Sequence, residues 1–163
     1  MSRIVTLHRA VALTEEKARQ LRQDARLSIL SAAALERAPD AMPAIPDDLR
    51  AVLPALIEHE RGRLAAAPLE RVNNELRRQL SLIGGPMDEL EKEEWIAFMH
   101  LELHEVPGDL ALAALTDARK TCRRASEVLP AIMAYLGDMP LRRRRAVERI
   151  ENLARVAGLL PRA

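Results

Sequence analysis

The chain has 163 residues, a formal net charge of +1 and 48% hydrophobic residues, enough for one compact domain or two small helical subdomains that bury roughly 70% of their unfolded surface. Its aromatic residues are only Trp95, Phe98 and Tyr135, so the core is aliphatic, which favours helices over strands and argues against a binder that stacks several bases. One cysteine, Cys122, excludes an internal disulfide and fits a reducing cytosol.

In chain order, the opening MSRIVTLHRAVALTEE has no long apolar region and no small-residue cleavage site, and it is not read as a signal peptide. Thr14 before Glu15 and Glu16 caps a helix running to about Arg37. Leu21, Ala25, Ile29, Leu30 and Ala33 supply its apolar side. PDAMPAIP, at 39–46, places three prolines in a linker or rigid elbow. Asp47 or Asp48 then caps a helix to about Ala66, which Pro54 kinks or divides. Pro68 ends it, and another helix covers about 69–82, stopping at Gly84 and Gly85.

GGP at 84–86 is the expected boundary between an N-terminal subdomain, 1–83, and a C-terminal one, 84–163. An acidic helix follows to about His104, and its Leu90, Trp95, Phe98 and Leu101 read as a buried stripe. EVPGD makes a turn in which Asp109 caps a helix to about Arg124. Ser126 and Glu127 begin a short helix closed by Gly137, and Asp138 with Pro140 begins the last, which ends at Gly158. No segment shows the period-2 alternation of a strand. The expectation is an all-α bundle of about six helices. No run reaches 18 apolar residues, so a membrane-spanning helix is excluded and a soluble, cytoplasmic protein expected.

Charge is sorted along the second half. Residues 84–109 hold eight acidic residues against one lysine, whereas residues 110–163 hold eleven basic against five acidic. Arg119, Lys120, Arg123 and Arg124 close a helix, where cations complement its dipole. Arg142, Arg143, Arg144 and Arg145 instead open a helix, where positive charge is disfavoured by about 0.3–1 kcal/mol per exposed residue. Something must compensate. At about 100° per residue, Arg142, Arg145 and Arg149 fall within about 60° of one another as a basic ridge. Either these arginines match the acids at 88–94 within the chain, or they face a phosphate backbone or an acidic protein.

Other constellations are weaker. His100 and His104 share a helix face, but the glutamate of the zinc-protease pattern is replaced by Leu101, so they read as ordinary helix histidines. Cys122 lies among cations that favour its thiolate, but lacks a recognisable base, and GGP lacks the lysine of a phosphate-binding loop. No catalytic residue, metal site or cofactor is implied.

From Trp95 to Leu136, the order W…L…VPGDL…AL…AR…CRR.SEVLPAI resembles the small helical module of phage and prophage replication proteins of the replisome-organiser or helicase-loader type. The resemblance implies a non-enzymatic adaptor that contacts a replicative helicase or origin DNA through helices, and it transfers no catalytic residues. With it, the candidate contact residues are Arg142, Arg143, Arg145, Arg149, Arg119, Lys120, Arg123 and Arg124. The alternative is a helical protein-interaction or regulatory module, homodimers included, that does not touch DNA.

Overall fold

The computed structural model describes residues 13–36, 44–83 and 86–161. These form eight helices and no strand: α1 (Glu15–Arg22), α2 (Ala25–Glu36), α3 (Asp47–Gly62), α4 (Leu69–Leu82), α5 (Glu89–Leu103), α6 (Gly108–Thr121), α7 (Ala125–Leu136) and α8 (Met139–Val156). The fold is all-α. The first residues and most of the 39–46 linker lie outside the described residues, as do Gly84 and Gly85.

Two units partition the chain, one made of residues 1–62 with 145–163 and the other of 63–144. This differs from the division read at 83/84. Helices α4 and α5, on either side of that point, pack on each other inside the second unit. Helix α4 closes at Ile83, before the glycines, and a helix end need not be a domain end. Helix α8 contributes residues 139–144 to the second unit and its remainder to the first.

In the first unit the helix expected over 15–37 is broken. Gln23 closes α1, and the Asp24 carboxylate accepts the Arg26 N–H at 2.8 Å, starting a new helix. Short polar side chains bond the backbone in this way and favour caps over helix interiors. The break shifts the apolar register: Leu27, Leu30 and Ser31 are buried, while Ile29 is 66% exposed. The core joins Ala18 and Leu21 to Leu49, Leu53, Leu56 and Ile57 of α3 and to Ile150, Leu153 and Ala154 of α8. Pro54 sits inside a single helix, as the kinking alternative required, and α3 is not divided there. The buried Glu60 carboxylate is met by Arg22, a partner that a buried charge requires. Arg61 holds Glu151 at 2.7 Å, and Arg50 donates to the Ala157 carbonyl at 2.9 Å.

In the second unit α6 lies at the centre, packed on α4 and α7. Its small face, Ala111, Ala114 and Ala118, lets neighbouring helices approach, and Leu76, Met99, Leu103, Leu115, Val128 and Ile132 fill the space between them. Helix α5 starts with a capping box: Asp88 accepts the Glu91 N–H at 2.8 Å and the Glu91 carboxylate accepts the Asp88 N–H at 2.9 Å. The turn expected over EVPGD lies earlier, at 104–106: the helix already begins at Gly108, Pro107 stands at its N-cap and Asp109 makes no side-chain cap. Gly108 is there because nothing larger fits. Its N–H donates to the Ala65 carbonyl at 2.8 Å, and a methyl group at this position would lie 2.3 Å from the Ala67 nitrogen. Gly137, at φ 47°, closes α7.

Candidate nucleic-acid interface

Three of the four PLRRRR arginines find local compensation. Arg142 pairs with Asp138 one turn back on its own helix, and Arg143 grips Asp109 with both guanidinium nitrogens while donating to the Arg63 carbonyl at 3.1 Å. Arg144 donates to the Glu105 carbonyl at 2.5 Å and lies 3.5 Å from its carboxylate. The two-pronged Arg143 contact holds the Asp109 carboxyl below the usual carboxylate range. The compensating acids are therefore Asp109, Glu105 and Asp138. The acids at 88–94, expected as the counterweight, bond to none of these arginines: Glu89 pairs with Lys92, while Asp88 and Glu91 cap α5.

The expected ridge thus divides. Arg143 is committed to structure, its side chain only 13% exposed. Arg145 and Arg149 are exposed and have no hydrogen bond or ion pair among the described residues. They belong to the first unit, Arg142 and Arg143 to the second.

The other predicted cluster has more around it. Arg119 faces α4 and binds one oxygen of Glu75 at 2.9 Å, while Arg78 binds the other at 2.7 Å. One carboxylate holds two guanidinium groups side by side. Arg78 and Glu75 line a groove of about 290 Å³ between α4 and α6 together with Arg71, Asn74, Leu112 and Thr116, and Arg119 is tied to it through Glu75. Arg71 is exposed and has no ion pair among the described residues, so three arginines stand here against a single carboxylate. At the end of α6, Lys120 is 3.9 Å from Asp117, and Arg123 turns back to donate to the Lys120 and Cys122 carbonyls.

Beyond it, Glu127 accepts the backbone N–H groups of Arg123 and Arg124 at 2.8 and 3.1 Å. Those bonds, and more weakly the charges of Arg124 and Arg123, hold its carboxyl below the ordinary value. Arg119 and Lys120 thus close α6, while Arg123 and Arg124 lie in the link to α7. Arg71 and Arg78 of α4, which were not expected, join them. Compared with known protein families, curated proteins and solved structures, the chain has no match.

The remaining sequence candidates are bonded within the fold. His100 faces Asn73 at 2.5 Å, and its partial burial lowers its pKa. His104 turns to the Leu101 carbonyl at 2.6 Å. No group of three metal-ligating side chains occurs among the described residues. Cys122 is buried, its thiol 3.5 Å from the Glu127 carbonyl. No helix among the described residues is long and apolar enough to cross a membrane.

Proposed function

We propose that this chain is a non-enzymatic helical adaptor in DNA transactions, and that the groove between α4 and α6 is where it meets the phosphate backbone. The observation that carries this reading is the pairing of Arg78 and Arg119 on Glu75, with Arg71 beside them. Arginine forks match phosphate oxygens in pairs, and a guanidinium held in place by a carboxylate loses less side-chain freedom when it binds. Lys120 and Arg123 extend the same face. The resemblance over residues 95–136 makes phage replication the specific setting, with a replicative helicase as the protein partner.

Binding of a labelled 20-base-pair duplex, followed by anisotropy between 50 and 200 mM salt, tests this. Five phosphate contacts give a salt slope near −4.5, hence roughly a 500-fold loss of affinity over that range. Replacing Arg71, Lys120 and Arg123 with Ala lowers the slope by about 2.7 and leaves helix content unchanged. No binding by the parent protein at 50 mM salt refutes the proposal. A loss confined to the Arg145→Ala, Arg149→Ala variant moves the contact to α8.

A second reading, a protein-interaction module without DNA contact, is favoured by a different observation. The α5 side chains expected to be buried are largely on the surface. Leu90, Phe98 and Leu101 are 65%, 48% and 69% exposed; of the expected stripe Trp95 alone packs on the core, beside Ile96, Met99 and Leu103.

A further inference from the structure

Helix α5 is apolar on two opposite sides. At about 100° per residue, Leu90, Ala97, Leu101 and Phe98 fall within about 100° of one another, opposite Met99 and Leu103. One side makes the core; the other faces outward with nothing of the described residues over it. Carboxylates border this outer stripe on both edges, Glu93 on one and Glu102 on the other, with Glu94 within it. All three are exposed and have no hydrogen bond or ion pair among the described residues. They differ in this from Glu89 and Glu91, which are occupied by Lys92 and by the helix cap. Past Glu102 the surface opens into a hollow of about 310 Å³ where Glu105, Pro140 and the 49%-exposed Leu141 meet.

Charge decides what fits. An apolar stripe of three large side chains is a docking surface for an amphipathic helix, which reads such a groove at i, i+3, i+4 and i+7. Flanking carboxylates without partners repel an acidic or phosphate-rich ligand and attract cations at the partner's margins. We infer that the outer face of α5 docks a basic amphipathic helix of a protein partner, Leu90, Phe98 and Leu101 taking its apolar side and Glu93, Glu94 and Glu102 its lysines or arginines. This surface does not depend on the basic groove, and an adaptor with both would hold an anionic and a cationic partner at separate places on one unit.

A displayed library of helical peptides, with leucine fixed at i, i+3, i+4 and i+7 and flanks randomised among Lys, Gln and Glu, is selected against the full chain. Lysine-rich flanks are expected to enrich. Enriched peptides should bind the Phe98→Ser, Leu101→Ser variant at least tenfold more weakly. The Glu94→Gln, Glu102→Gln variant should lose most of its salt dependence. Enrichment of neutral or acidic flanks, no enrichment, or unchanged affinity for the serine variant overturns the inference. So does a parent dimer in sedimentation that the serine variant converts to monomer, since the face would then be a self-contact. The α5 variants keep the parent's duplex binding, so failure here and failure of the DNA reading are seen separately.

Discussion

Gly108→Ala tests the tightest approach in the second unit. The added methyl carbon would lie 2.3 Å from the Ala67 nitrogen, 2.5 Å from its Cα and 2.8 Å from the Ala66 carbonyl carbon. All three atoms are backbone, so no rotamer change relieves the clash. The start of α6 and the strand of chain at 65–67 must separate by about 1 Å to restore ordinary contact, which overpacks the site at a cost of about 1–3 kcal/mol. The same movement stretches the 2.8 Å bond from Gly108 to the Ala65 carbonyl, which contributes about 1 kcal/mol. Against these stands a gain of about 0.5–1 kcal/mol from replacing a helical glycine. The net expectation is a loss of about 2–3 kcal/mol, or roughly 10–20 °C in the unfolding midpoint of a unit this size.

Gly62→Ala is the matched control, because a methyl there meets nothing within 4 Å, and it should be neutral or slightly stabilising. Thermal and urea unfolding followed by circular dichroism read both variants. A Gly108→Ala midpoint within 2 °C of the parent, or equal losses in the two variants, refutes the reasoning.

Gln79→Met should stabilise the chain by about 1–2 kcal/mol, since Gln79 is 1% exposed and neither its amide nitrogen nor its oxygen has a hydrogen-bond partner. A lowered urea midpoint would show that the amide is satisfied. Asp109 has its pKa lowered by Arg143, so its ionised form stabilises the fold fully above the ordinary carboxylate pKa of about 4, and this is lost as pH falls through the depressed folded value. Asp109→Asn should therefore lower stability at pH 7 and flatten the acid limb of stability against pH; an unchanged limb counts against the pair.

Helix content was legible because several helices announce their own ends: Thr14, Gly137 and Gly158 act locally, and the structure uses them as read. Burial was less legible. The Leu90, Phe98 and Leu101 spacing signals an apolar helix face but not what covers it, and α5 carries a second such face in Ile96, Met99 and Leu103. The break at Asp24 depends on one short side chain, and once missed it turned Ala25 and Ile29 the wrong way. Of the predicted basic residues, those at 119–124 are close in the chain, the end of α6 and the short link to α7 carrying them. The arginines at 142–145 diverge because their acids, Asp138, Asp109 and Glu105, lie on different elements. Arg71 and Arg78 were findable: RVNNELRR puts them seven apart on one side, with Glu75 between them.

The first unit is assembled from the two ends of the described chain, whereas residues 63–144 form the second without interruption. Its core needs Ile150, Leu153 and Ala154 to cover Leu53, Leu56 and Ile57. On the ribosome, α1 to α3 therefore emerge with the side of their shared core that α8 covers still open, and wait for about ninety more residues, several seconds of elongation, while the second unit can close behind them. During that interval the leucines of α3 are bait for chaperones, and a released chain truncated after residue 144 should expose them while already protecting α4 to α7 from protease.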